Sequence, residues 1–304
     1  METLPHLAGK RFRDQIIFIF DFTKSKHMNY GLLAPPRSLQ KLVKCFWMIE
    51  SSTDFCPDKN YMMADGSPEI IFQYKGGFKV YAKQQGYFRT QHITSHHLAL
   101  EKEFGFFGVR LFPGAVQHLM AIPAHELSGM ILCLNTLFKQ EGRDLTDQLL
   151  ESITTKKRIQ LFGAFLQKLA IKDKPDAMAS VAHHIDQQGG NVNLSRLREK
   201  TGLSVKQFER RFKATTGFPP KLYARVARFQ NTKRKYVAGN MTSLTELAYD
   251  CNYYDQSHFI REFTEFSGVS PSHYFNFIDK WDNESKIIKN LVIGKEHAGL
   301  LISK

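Results

Sequence analysis

Leu203-Ser204-Val205-Lys206-Gln207-Phe208-Glu209-Arg210-Arg211-Phe212 and, 51 residues further on, Tyr254-Asp255-Gln256-Ser257-His258-Phe259-Ile260-Arg261-Glu262-Phe263 are two copies of one pattern. At that shift Phe208 falls on Phe259, Arg210 on Arg261 and Phe212 on Phe263. Beyond them Gly217 falls on Gly268, Pro220 on Pro271 and Tyr223 on Tyr274. Ser204 and Asp255 occupy matching places, and each is a residue type whose side-chain oxygen caps an unpaired amide at the start of a helix. Self-similarity of this kind marks one supersecondary unit used twice.

The spacing explains what each copy does. Two phenylalanines four apart share one face of a helix. The arginine between them lies roughly 200° around the axis from the first, so it faces outward. A helix buried by its aromatics, starting at a cap after a tight turn and showing an arginine, has the outline of the second helix of a helix-turn-helix. A preceding helix fits in both copies, with Leu194 and Leu197 before Gly202-Leu203, and Leu244, Leu247 and Ala248 before Asn252-Tyr253. The units are joined by a basic stretch that starts at Pro219-Pro220 and stops near Val237, at Ala238-Gly239-Asn240. Read as a helix of some ~18 residues at ~1.5 Å each, it spans ~27 Å. Two recognition helices are then carried about one DNA turn apart, ~34 Å. The head-to-tail repeat predicts direct, non-palindromic half-sites.

Upstream, strand-like runs occupy 42–49, 70–74 and 106–112, with Asp65-Gly66-Ser67-Pro68 as a turn. After about residue 114 the pattern turns helical, most clearly over 158–168, where Ile159, Leu161, Phe162, Phe165 and Leu166 recur on one face. The polar run Lys172-Asp173-Lys174-Pro175-Asp176 marks a domain boundary. A helix over 176–188 follows, ended by Gly189-Gly190, and helical stretches continue to about Trp281. The expected fold class is α+β. A β-rich N-terminal sensor domain with helices (1–175) precedes an all-α domain of two helix-turn-helix units joined by a linker helix (176–281), then a C-terminal tail (282–304).

A chain of 304 residues with 42% hydrophobic and 23% charged residues suits two domains with ordinary cores. The net charge of +13 favours a polyanionic partner. Residues 191–280 concentrate it, with 15 Lys and Arg against 8 Asp and Glu. Cys45, Cys56, Cys133 and Cys251 stand apart with no C-x-x-C pair, which argues against a zinc site or disulfide scaffold and fits reduced thiols. The longest early apolar run, 16–20, is far short of the ~20 residues of a membrane span. The expectation is a soluble, cytoplasmic protein with no membrane partner. His96 and His97 point to opposite faces of a strand, and His92 reaches His96 only on a helix, so no metal site is expected. His183 and His184 read as solvated or helix-packing residues. The chain has no G-x-S-x-G elbow, phosphate loop or H-E-x-x-H, so neither enzyme activity nor a cofactor is expected.

Residues 176–281 resemble the DNA-binding domain of AraC/XylS-type regulators. The two quoted stretches carry the likeness, with Tyr253 before the second and the closing Gly268-Val269-Ser270-Pro271-Ser272-His273-Tyr274. The chain departs from the pattern at Asn252, a turn site usually held by glycine, and at Arg198 and Thr232, usually alanine. More faintly, Phe46-Trp47, Asp65-Gly66-Ser67-Pro68-Glu69-Ile70-Ile71-Phe72 and Phe107-Gly108-Val109-Arg110-Leu111-Phe112-Pro113-Gly114 resemble the sensor half of a subgroup of such regulators.

The resemblance implies that Lys206, Glu209 and Arg210 face base edges from the first recognition helix, and Gln256, Ser257 and Arg261 from the second. The chemistry suits these roles: arginine pairs with guanine O6/N7, glutamine with adenine N6/N7, and glutamate accepts from cytosine N4. The bland alternative pairs the arginines with Glu209 or Glu262 as surface ion pairs. Ser204, Arg225 and Arg228 are better placed for phosphates. The function implied is a sequence-specific transcription regulator that answers to an effector or partner. Its implied partners are double-stranded promoter DNA, RNA polymerase, a small-molecule effector and a second copy of the chain. The rivals are a non-specific architectural DNA binder and a fusion with a cysteine–zinc DNA-repair module, for which the scattered cysteines supply no cluster. The aromatics of the N-terminal half either line an apolar pocket or fill its core.

Overall fold

Successive side chains of a strand point to opposite faces, so Phe46-Trp47, Ile70-Ile71 and Phe106-Phe107 each send one apolar group to either side of a sheet. The computed structural model describes residues 18–20, 28–51, 60–79, 84–97, 99–169, 176–238, 243–276 and 278–279. Its strands are β1 (Phe18–Phe20), β2 (Met28–Leu33), β3 (Val43–Ser51), β4 (Asn60–Met62), β5 (Glu69–Phe78), β6 (Gly86–Arg89), β7 (His96–His97), β8 (Leu100–Leu111) and β9 (Ile131–Cys133). An antiparallel sheet runs in the order β2-β3-β8-β5-β6-β9, and β1-β4-β7 form a smaller one.

One face of the large sheet, with Phe46, Phe72, Phe88 and Phe107, packs against helices α1 (Ala115–Met120), α2 (Leu134–Glu151) and α3 (Thr155–Leu169). Phe107 stacks between Phe46 and Phe162, with ring centroids at 6.0 and 5.7 Å. The other face, with Trp47, Ile71, Phe104 and Phe106, belongs to a core that continues into the C-terminal domain. These side chains are buried in that core. The strands predicted over 42–49, 70–74 and 106–112 are present and longer. The helical reading after residue 114 fails at β9, which pairs with β6 (Tyr87↔Cys133, Arg89↔Ile131). Three residues are too few to show an alternating period, and the pairing that makes them a strand comes from a distant part of the chain.

The C-terminal helices are α4 (Ala177–Gln187), α5 (Leu194–Thr201), α6 (Val205–Thr216), α7 (Pro220–Ala238), α8 (Leu244–Asp250) and α9 (Gln256–Ser267). Asp176 caps α4 by accepting from the Met178 amide at 2.8 Å. Both ends of α6 and α9 differ by the 51 residues of the sequence repeat. Their cores repeat as well: Phe212 meets Tyr223 edge-on at 5.5 Å, and Phe263 meets Tyr274 at 5.4 Å. Most of the expected boundary at 172–176, the stop near Trp281, the tail 282–304 and Cys56 lie outside the described residues.

Candidate nucleic-acid interface

Each recognition helix is positioned by its ends. Ser204 accepts from the Gln207 amide while the Gln207 side chain accepts from the Ser204 amide, a reciprocal capping box at the start of α6. Asp255 caps α9 by accepting from the His258 amide at 2.7 Å. The preceding turns need a left-handed residue: Gly202 supplies it at φ 67° and Asn252 at φ 58°, a conformation asparagine tolerates. From that residue to the cap, the second turn is one residue longer, through Tyr253 and Tyr254.

Helix periodicity then sorts the side chains. Phe208, Phe212, Phe259 and Phe263 are buried, whereas Lys206, Glu209 and Arg210 on α6 and Gln256, Ser257 and Arg261 on α9 are all exposed. The structure therefore brings each expected set of three onto one solvent-facing helix surface. Among the described residues neither Arg210 nor Arg261 makes an ion pair, so the surface pairing with Glu209 or Glu262 is not formed. The Gln256 carboxamide oxygen accepts from the Thr245 hydroxyl at 2.9 Å, which orients it from the helix before. Ser204 is exposed, with its hydroxyl engaged in the cap.

Arg225 and Arg228 are held differently from the phosphate role expected of them. Glu262, 1% exposed, accepts from Arg225 Nε at 2.8 Å and from Arg228 Nη2 at 2.8 Å. Arg225 Nη2 also donates to Glu265 at 2.7 Å. The two guanidinium groups lie over Phe266 and Tyr253, at 5.0 and 4.6 Å. This fork ties α9 to α7; sequence reasoning offered Glu262 only as a surface partner and missed its buried role. The signal was present: Phe259, Glu262, Phe263 and Phe266 follow the i, i+3, i+4, i+7 spacing of a buried helix face. Thr232, fully buried where alanine is usual, donates its hydroxyl to the Arg228 carbonyl at 3.0 Å. Arg198 bonds its neighbour Glu199 at 3.4 Å.

The N-terminal domain touches the C-terminal ends of both recognition helices. At α6, Gly217 (φ 87°) leaves room for Gln91, and its carbonyl accepts from Ser128 at 3.3 Å. At α9, the Phe266 carbonyl accepts from the Ala64 amide at 2.9 Å, and Gln230 on α7 donates to the Ala64 carbonyl at 2.6 Å. The two contacts share one support, because Asp65 and His92 pair backbone to backbone in an antiparallel bridge. Buried charges anchor that bridge. Glu69 accepts from Arg89 at 2.7 Å and lies 3.5 Å from Arg110 Nε, and Arg110 in turn pairs with Asp65. Burial pushes the Glu69 carboxyl up, opposed by the Arg89 charge, and pushes Arg110 down to about 10.

No group of three His, Cys, Asp or Glu side chains among the described residues is arranged to hold a metal ion. No described helix is long and apolar enough to cross a membrane.

Residues 197–276, which run from α5 past α9 and so include both recognition helices, match a family described as a helix-turn-helix domain. The chain carries an AraC/XylS-type helix-turn-helix domain. Ahead of it, residues 32–132 match a family described as a domain of unknown function (DUF6597). Among solved structures, ToxT from Vibrio cholerae is similar at 10% identity and a TM-score of 0.44, covering 83% of this chain and 99% of that one. ToxT of strain O395 bound to (E)-4-(8-methylnaphthalen-1-yl)but-3-enoic acid is similar at 11% identity and a TM-score of 0.44, covering 83% and 99%. Unsaturated fatty acid bound wild-type ToxT of strain SCE256 is similar at 11% and 0.41, covering 83% and 95%. No curated protein matches the chain. In the AraC/XylS-type domain, the two exposed triplets sit at the N-terminal parts of α6 and α9, where helices of this kind present side chains to a groove.

Proposed function

We propose that the protein is a cytoplasmic, sequence-specific transcription regulator that reads two successive major grooves of promoter DNA and answers to an effector. The observation that carries this reading is the duplicated, capped recognition helix with an exposed arginine, free of ion pairs among the described residues, at the same place in each copy, Arg210 and Arg261. Lys206, Glu209 and Arg210 read one half-site; Gln256, Ser257 and Arg261 read the other. Ser204 and the donors of Arg225 and Arg228 left over by Glu262 contact phosphates, which set register without reading bases. RNA polymerase is the downstream partner, and the chain acts without a cofactor or chemistry of its own.

Selection of bound duplexes from a random pool tests the reading. The expected result is two short motifs in direct repeat, with the positions sensitive to Arg210→Ala and Arg261→Ala about 10 base pairs apart. A palindrome, or both substitutions acting on one base step, overturns it. Equal affinity for random and selected DNA supports an architectural binder instead.

A further inference from the structure

Where the two domains meet, a cavity of about 290 Å³ opens between β3 and the residue 65–67 segment on one side and α4 and α7 on the other. Its walls carry three cations, Lys44, Arg110 and Arg234, and two carboxylates, Asp65 and Asp186. The carboxylates are taken. Asp186 pairs with Lys44 at 2.9 Å, and Asp65 pairs with Arg110. Arg234 is the charge left over: among the described residues no carboxylate pairs with it. Its Nη2 makes only long bonds, to the Asp186 carbonyl at 3.3 Å and Asn231 Oδ1 at 3.4 Å. Its Nε is buried with no partner. A buried donor left without an acceptor is costly, by ~1–3 kcal/mol, and the side chain that carries it lines the cavity.

We propose that this cavity is an effector site for a small hydrophilic anion, a carboxylate or a phosphate monoester, held by Arg234 from α7 and Lys44 from β3. The volume holds roughly ten water-sized groups at ~30 Å³ each. A long apolar chain does not suit these walls, because it leaves their charges desolvated without hydrogen bonds. The position gives the ligand leverage. Lys44 belongs to the N-terminal domain, and it also donates to Ser67 at 2.9 Å, on the segment that carries Ala64 to the end of α9. Arg234 belongs to the linker helix between the two recognition units. An anion shared by both cross-links the sensor domain to that helix, and its affinity is linked to DNA affinity by the same factor in each direction. This inference rests on the effector-responsive reading above.

Calorimetric titration of the full-length protein with glycerol 3-phosphate, glutarate and decanoate tests it. At least one of the two hydrophilic probes binds with a submillimolar Kd and raises the melting temperature, whereas decanoate does neither. Arg234→Gln and Lys44→Gln each weaken that binding tenfold or more. Lys221→Gln, an exposed cation on the same helix outside the cavity, leaves it unchanged. Two cavity variants keep the test valid if one folds poorly. Absence of binding by both hydrophilic probes, equal weakening by Lys221→Gln, or preferential binding of decanoate overturns the site. Ligand binding that leaves specific DNA affinity unchanged overturns the coupling. A preparation that binds the anion but shows no sequence preference on DNA refutes the regulator reading while leaving the cavity assignment intact.

Discussion

Arg261 and Glu262 are neighbours in sequence and opposites in role, so paired substitutions at these positions separate DNA reading from folding. Arg261 is exposed and makes no ion pair among the described residues, so Arg261→Ala removes only a solvent-facing guanidinium. Its stability cost stays within about 0.5 kcal/mol, while specific binding falls by ~1–3 kcal/mol. Glu262→Ala removes the acceptor shared by Arg225 and Arg228, at 2.8 Å in each case. Breaking a buried pair from one side costs ~3–5 kcal/mol when the abandoned charge stays buried. Here the two arginines keep 32% and 20% of their side-chain surface exposed and can rehydrate, so we expect ~2–3 kcal/mol. Urea unfolding followed by circular dichroism measures the first quantity, and titration of the selected site by fluorescence anisotropy the second. Glu262→Ala should also weaken both half-sites unequally, the second more, because α9 loses its seat on α7. If Glu262→Ala unfolds like wild type while Arg261→Ala loses stability, the faces of α9 have been assigned the wrong way round.

Phe212→Ala and Phe263→Ala, both fully buried, should each destabilise by ~3–5 kcal/mol in the same unfolding assay, and a loss under 1 kcal/mol contradicts the repeated core. Ser204→Ala should cost about 1 kcal/mol through loss of the α6 cap, with Gly at the same position costing only tenths. Log affinity for the selected site should fall linearly with log salt, by ~0.9 per phosphate neutralised, and a flat response excludes a phosphate-tracking interface. Burial pushes the Cys45 thiol up to about 12, so it should resist a thiol reagent at pH 8 in the native state. The sign for stability follows: because the folded thiol holds its proton more tightly than the unfolded one, its contribution is complete below the unfolded pKa. It is lost as pH rises toward about 12, and Cys45→Ala should flatten the alkaline limb of a stability–pH curve.

The C-terminal domain was legible because its signals are local. Caps at Ser204 and Asp255 and phenylalanines four apart each act within one helical turn, and both appear in the structure where the sequence puts them. What stayed hidden depends on residues far apart in the chain. The bonds from Arg225 and Arg228 to Glu262 span 37 and 34 positions, so nothing near either arginine announces them. The Glu69–Arg89–Arg110 cluster and the Ala64–Phe266 contact are likewise products of packing. Charges inside a strand-rich segment read as a solvated face until the sheet and the second domain close over them.

The linker helix α7 is one unbroken rod from Pro220 to Ala238, and the second unit is fastened to it by Glu262. Adding a single base pair between two half-sites shifts one by ~3.4 Å and turns it by roughly 35° about the duplex axis. A stiff connector has no slack to follow that turn. On the proposed reading, the length of the gap is therefore part of the target, counted as strictly as its letters. Insertions and deletions in an untouched spacer should silence a promoter as surely as a substitution in either half-site, and a genome scan needs to admit only one gap length.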